Sequence, residues 1–442
     1  MHSSRFLVGC GLLLLAIGAQ AQHPDIIVSK TSDSFDGVCD SDCSLREAIT
    51  LASQRQGSQR IRLGAGVYQL SLAPPQDTAG NPLEEHENHN GDLDVRYAAI
   101  TLLGAGMTRT VIDAGQLDRH FDVVAGASLL IQDLSLRNGF HSSEGGVLRN
   151  YGVAELKRVR LINNRVSFAQ PFGRGGAIAN YQSLRVLQSE FIRNHLEGRG
   201  GMNYTAVAHG GAIYNARDLL VRDSVFRGSR AAADYESGGG ALYNSGFADV
   251  ARSAFIGNGS TGNGGAVSNA DNGVLGMSNS TLSSNITLYG GALANGVDYS
   301  AEPSSPKAYL VHLSIVANHG RGLHNTGHAR VRNSVIVGNQ GSNCSSSGIY
   351  AQFESQGLLL SDLSPYGCQA DFMVDSASVF SEVLYPIDTN ATGLPAHPLR
   401  PGSAAVDAGT SACASHDQRG VARPRDGDGD GVARCDLGAY EL

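Results

Sequence analysis

HGGAIYN, residues 209–215, decides how the rest of the chain is read. The six residues after the histidine recur as GGVLRN (145–150), GGAIAN (175–180), GGALYN (239–244), GGAVSN (264–269), GGALAN (290–295) and GRGLHN (320–325). A catalytic constellation occurs once and a structural unit repeats, so the phrase reads as architecture. Its asparagines, Asn150, Asn180, Asn215, Asn244, Asn269, Asn295 and Asn325, lie 25 to 35 residues apart. That spacing is the period of stacked repeat folds. His209 has no counterpart in the other copies and reads as a loop residue.

A second column follows each asparagine. Ser189, Ser224, Ser253 and Ser334 stand nine residues after theirs, and Ser280 and Ser314 take the same place after insertions. Around them, SLRVLQSEFIRN (183–194), DLLVRDSVFRGS (218–229) and ADVARSAFIGN (248–258) show the short apolar alternation of strands bounded by Gly and Asn. No stretch of the repeats has a helical period. A coil of this length, built from short strands and sharp turns, buries its inward side chains only against the coils above and below, about 4.8 Å away. Glycine serves the corner and permits close approach, and asparagine stacks its amide on the next one. The expectation is an all-β, single-stranded, right-handed parallel β-helix over 60–370. An N-terminal cap precedes it at 22–59 and a C-terminal cap follows at 371–442.

Composition is consistent with such a coil: 56 Gly, no Trp and 17% charged residues suit a glycine-turned solenoid. The net charge of −8 excludes nucleic acid and anionic lipid as partners of the whole surface. MHSSRFLVGCGLLLLAIGAQA (1–21) has a basic start, an apolar run and an Ala-x-Ala end, the pattern of a cleaved secretory signal peptide. The lipoprotein-like LVGC ending at Cys10 comes too early in that run to direct lipidation. The expected location is extracellular or at the cell surface, with no membrane span. Cys39, Cys43, Cys344, Cys368, Cys413 and Cys435 remain, an even number in an exported chain. They pair as nearest neighbours into three disulfides, with zinc at CDSDC as the lesser alternative. Before the first coil, Ser44 and Glu47 form a capping box. Leu45, Ala48, Ile49 and Ala52 then make one apolar face of a lid helix.

CSLREAI (43–49), GDLDV (91–95), GAGMTRTVIDA (104–114) and the tail from Arg400 to Glu441 resemble bacterial secreted right-handed β-helix proteins of the CSLREA-domain type. In that family the tail resembles the choice-of-anchor segment. The GGA[IL] phrases, with FIRN (191–194) and FIGN (255–258), are similar to the repeats of chlamydial polymorphic membrane adhesins. The resemblance implies export and a pectate-lyase-like solenoid. After GAYEL no LPxTG motif, hydrophobic tail or barrel follows, so release stands beside surface attachment as an expectation.

DGDGDGVARCD (426–436) places Asp426, Asp428 and Asp430 as in a calcium loop, with Gly431 at the turn and Asp436 in place of the usual Glu. A structural calcium ion of weak extracellular affinity, about 10⁻⁴ to 10⁻³ M, is the expected cofactor. The segments between successive column residues and the next glycine corner run over 165–174, 195–209, 230–238, 259–263, 286–289 and 319. Stacking collects the long ones into a lobe. Its Phe168, Phe172, Arg174, Arg199, Tyr204, His209, Arg230, Tyr235 and Glu236 suit sugar stacking and hydrogen bonding. Adhesion or binding of a polysaccharide or surface glycan is therefore the first reading. A polysaccharide lyase or hydrolase acting on acidic glycans is the second. Against the second stand the three lysines and the lack of any visible paired Asp cluster beside an arginine. NHGRG (318–322) sits at a repeat corner, and EEHENHNGD (84–92) reads as a hydrophilic loop in preference to a metal site.

Overall fold

The computed structural model describes residues 23–55, 57–78, 83–201, 205–296, 305–362, 367–389, 393–410 and 412–442. The expected leader, Cys10 and Tyr204 lie outside the described residues. The strands wind into a right-handed parallel β-helix, and every pairing between named strands is parallel, with a register shift where Ile286–Asn295 meets His319–Asn325. One sheet of 18 strands stacks the segments that follow each asparagine, from Ile26–Ile27 to Phe372–Met373. A second, of 15 strands, carries the asparagine strands themselves, Leu148–Asn150, Ile178–Asn180, Ile213–Asn215 and their successors. The interior is a continuous column of buried Ala, Val, Leu, Ile and Phe.

The repeat phrase works as turn chemistry. Gly210 has φ +82°, which a residue with a Cβ adopts only under strain. A Cβ on Gly211 would stand 2.1 Å from the Gly240 carbonyl oxygen of the next coil. Asn150, Asn180, Asn215, Asn244, Asn269, Asn295 and Asn325 are buried; the first six each pass Nδ2–H to the next Oδ1 at 2.7–2.8 Å, and Asn325 donates to Ser346 Oγ at 2.9 Å. The fourth residue of the FIRN and FIGN phrases builds a second ladder. Asn164 donates to Asn194, Asn258 to Asn285, Asn285 to Asn318 and Asn318 to Asn339.

The serines accept the backbone N–H of the preceding coil, as Ser224 Oγ does from Ser189 at 3.1 Å. Each follows a residue held at positive φ, such as Gln188, Asp223 and Arg252. Ser314 departs from its expected place. Leu313 pairs with Ser280, so Ser314 is one residue past the column and faces outward, its Oγ accepting Ala439 N–H. The period of two along a strand makes a one-residue offset a change of face.

Leu45–Gln54 is helical, with the Ser44/Glu47 capping box formed and Leu45, Ala48, Ile49 and Ala52 buried. Disulfides join Cys39 to Cys43, Cys344 to Cys368 and Cys413 to Cys435. The residues after Phe372 are laid along the flank of the larger sheet. There Val316, Val335, Val337 and Leu359 face out and are buried by Val379, Leu384, Leu399, Val406 and Leu437. Among the described residues no helix is long and apolar enough to cross a membrane.

His397 fixes this flank. Its Nε2 lies 3.0 Å from Ser283 Oγ and its Nδ1 lies 3.0 Å from the Tyr385 carbonyl oxygen. Burial pushes its pKa down to about 4, against the smaller upward pull of the Tyr385 bond. The unfolded chain, titrating near 6.5, therefore binds more protons between those two values, and stability is lost as pH falls through that window. The loss attributable to this residue is about 3 kcal/mol. The melting temperature is expected to drop between pH 6.5 and 4.5, and the drop to be smaller in His397→Gln.

Candidate functional site

The lobe is more ordered than loops would be. The 165–174, 195–209 and 230–238 segments each leave the coil as one strand and return as another. The outgoing strands are Arg165–Phe168, His195–Gly198 and Arg230–Ala232, and the returning ones Phe172–Arg174, Val207–His209 and Glu236–Gly238. The returning strands form a separate three-stranded sheet. His209 is thus a strand residue and not a loop residue, paired with Arg174 and Gly238. Long excursions of adjacent coils leave rows of free N–H and C=O groups, and pairing in register satisfies them. Between the two layers Val166, Phe168, Leu196, Ala206 and Ala208 form a small core of their own. The result is a ridge standing off the β-helix. Where the excursions shorten to four residues and then one, outgoing and returning strands merge into single strands, Ile286–Asn295 and His319–Asn325.

The ridge distributes the nominated residues over its surfaces. Phe168 is buried in its core and cannot meet a ligand. On the outgoing layer Arg165, His195 and Arg230 are in register, one per coil. With Leu196, Glu197 and Ala232 they line a groove of about 410 Å³. Arg165 Nη2 holds Glu197 Oε2 at 2.9 Å, and Arg199, more exposed, lies 3.8 Å from Glu197 Oε1. Burial, then the neighbouring Arg165 and Arg230 charges, lowers the His195 pKa, with Glu197 pulling the other way. The ring is therefore held neutral between two guanidinium groups.

On the returning layer Arg174 stacks over Phe172 at 5.7 Å and over Tyr214 at 5.3 Å. His209 stacks on Tyr243 at 3.8 Å, and its Nε2 lies 3.5 Å from Glu236 Oε1. That interaction lowers the Glu236 pKa. Tyr151, Tyr181, Tyr214 and Tyr243 continue the row along the β-helix, with ring centroids 4.8 to 5.8 Å apart. Tyr235 and Phe172 are exposed.

The first coils hold a charge network that corrects the expectation that no paired aspartates stand beside an arginine. Asp94 and Asp122 are partners on adjacent strands, and Arg149 is the partner of Asp122 on the next. Arg149 Nε donates to Asp122 Oδ1 at 3.2 Å and Nη2 to Glu84 Oε2 at 3.2 Å. Arg119, fully buried, donates to Glu84 Oε1 at 3.0 Å and Asp92 Oδ2 at 3.2 Å. The 84–92 stretch is a loop between strands, as expected, and it is tied down. It is folded onto the sheet because those arginines need its carboxylates, and Asn88 clips it to the Asp94 backbone. Burial raises the Glu84 pKa, but the bond with His141 and the charges of Arg119 and Arg149 outweigh this and hold it low. Asp94 is pushed up to about 7 by burial and by Asp122, with His86 opposing.

In the tail, Asp426 and Asp428 gather with Asp407, which was not among the expected ligands. Asp430 and Asp436 lie outside that group. Asp430 accepts Val432 N–H, and Asp436 is buried, accepting N–H from Asp407 and Leu442. His195 and Arg165 were missed as well, although each directly follows the asparagine of the second ladder.

No family model matches the chain, and no curated protein matches it. Among solved structures it is similar to pectate lyase Pel9A, at 13% identity and TM-score 0.47, covering 95% of this chain and 97% of that one. It is similar to the PL6 family alginate lyase AlyGC at 12% identity and TM-score 0.35. That match covers 85% of this chain and 55% of the lyase, so the chain spans about half the lyase's length. The A-module of the Azotobacter vinelandii mannuronan C-5 epimerase AlgE4 is similar at 16% identity and TM-score 0.31, covering 76% of each chain. The strand pairing of the chain itself makes it a right-handed parallel β-helix protein.

Proposed function

We propose that this protein binds a carboxylate-bearing polysaccharide in the groove of Arg165, His195 and Arg230. The observation that carries this reading is the register. One basic side chain per coil lines a groove of about 410 Å³ on a chain whose net charge is −8. Coils spaced about 4.8 Å apart repeat at roughly the length of one sugar residue, so the Arg165 and Arg230 guanidinium groups, two coils apart, meet alternate carboxylates with the neutral His195 between them. The aromatic row on the other layer offers stacking faces for neighbouring sugars. Three disulfides fit the extracellular setting in which such polymers occur.

Binding without cleavage is the first reading, and His195 favours elimination as the second. A neutral imidazole between two guanidinium groups has the parts that elimination needs. The arginines neutralise the uronate carboxylate and the imidazole takes the proton α to it. The C–H electron pair becomes a C=C double bond as the neighbouring C–O glycosidic bond breaks with its pair going to oxygen, and that oxygen takes its proton from the imidazolium or from water. Mixing the protein with polygalacturonate, alginate and a neutral glucan tests both readings at once. Retention of the acidic polymers alone, weakening with salt, supports the groove, and new absorbance from unsaturated ends supports elimination. Equal retention of the neutral glucan would remove the basis of both.

In the tail we propose calcium at Asp407, Asp426 and Asp428. Chelation is expected to lower the melting temperature, and Asp428→Ala to abolish that response. Identical melts of the parent protein with and without chelator would count against it.

A further inference from the structure

The network under the 84–94 segment carries more negative charge than its arginines balance. Glu84, Asp92, Asp94, Asp118, Asp122 and Glu144 face it; the buried Arg46, paired with Asp33, donates to the Asn88, Gly91 and Asp92 carbonyls of the segment, and Arg119 and Arg149 are the guanidinium groups that pair with the carboxylates. Those arginines serve Glu84, Asp92 and Asp122 and leave Asp94 without a strong partner. The Asp94 side chain is fully buried, yet neither of its carboxylate oxygens accepts a hydrogen bond of proper geometry. His86 Nδ1 stands 3.4 Å from Asp94 Oδ1. Buried carboxylates are expensive unless hydrogen-bonded, paired or bound to a metal.

Ligand atoms of Glu84, His86 and Asp122 lie within 4.8 Å of one another; Asp94 lies outside that group of three, but it is the in-register neighbour of Asp122 and its Oδ1 is 3.4 Å from His86 Nδ1. We propose that Glu84, His86, Asp94 and Asp122 form a site for one divalent transition-metal ion of the Mn²⁺ or Zn²⁺ kind. Three carboxylates and an imidazole are a mixed oxygen and nitrogen donor set, which suits such an ion better than Ca²⁺, whose ligands are all oxygens. Each carboxylate held by an arginine keeps further lone pairs for a metal. The half-exposed His86 and the partly exposed Glu84 leave the site open on the solvent side, an entry path. Two ligands come from the 84–92 stretch and two from adjacent coils, so the ion would staple that stretch to the start of the β-helix. These residues are not those of the glycan groove, and the inference stands or falls apart from it.

The test uses the full chain, stripped with chelator and then dialysed separately against Mn²⁺, Zn²⁺ and Ca²⁺, with bound metal counted by mass spectrometry. The expected result is about one equivalent of Mn²⁺ or Zn²⁺ in the parent protein and in Asp428→Ala. Affinity should be weaker by about tenfold or more in His86→Gln and Asp94→Asn. A melting temperature raised by the metal in the first pair and not in the second completes the expectation. His86 is on the surface, so its variant decides the matter should Asp94→Asn fail to fold. Failure of the parent to take up either transition metal, uptake unchanged in His86→Gln, or uptake abolished only in Asp428→Ala overturns the proposal.

Discussion

Phe226→Ala is expected to destabilise the β-helix by about 3–5 kcal/mol, the range for removing a buried aromatic side chain. Phe226 is fully buried in a stack, its ring centroid 4.6 Å from Phe191 and 4.7 Å from Phe255, with interplanar angles of 14° and 2°. The backbones of the three coils are locked in register above and below. They cannot close in to fill the space left by the ring, and a cavity that cannot collapse sets the cost near the top of its range. A repeat coil also has no other core to share the loss, since its interior touches only its two neighbours. Phe247→Ala, at a half-exposed position, is expected to change stability by less than about 0.5 kcal/mol. Denaturant midpoints of the two variants against the parent make the comparison. Coincident midpoints for Phe226→Ala and the parent would mean that the aromatic stack is not the core described.

The β-helix was readable because its corners use the same chemistry every time. The positive φ at Gly210, the close approach at Gly211 and the Asn215 amide bond each demand one residue type, so the phrase recurs in the sequence. The ridge was readable only as excess length. Nothing in 195–209 announces that Val207–His209 pairs with Phe172–Arg174, because the pairing depends on a neighbouring coil of similar length. His195 left a signal that was not used: Arg165, His195 and Arg230 each directly follow the column residues Asn164, Asn194 and Ser229. Asp94 and Asp122 left a weaker one, since Phe121–Val123 follows Asp118 and Arg119 where later coils have the glycine pair, and Leu93–Val95 follows the single Gly91.

Replacing Arg165 and Arg230 together by alanine is expected to weaken binding of an acidic polysaccharide by about a hundredfold, about tenfold for each charge-assisted hydrogen bond removed. The fold should tolerate the change. Arg230 is exposed, and the Arg165–Glu197 pair is a surface ion pair contributing about 0–1 kcal/mol. The parent's affinity should itself fall as salt rises, because both guanidinium groups stand at the solvent boundary. His195→Gln keeps the shape of the groove, and its effect on unsaturated ends, if the parent makes any, separates a base from a bystander. The direct measurement is calorimetric titration of galacturonate and alginate oligomers into the parent protein and the Arg165→Ala/Arg230→Ala variant, with melting temperatures recorded alongside. The account predicts binding of at least one oligomer by the parent and a decrease of about a hundredfold in the variant at an unchanged melting temperature. Equal affinity in the two proteins would contradict it.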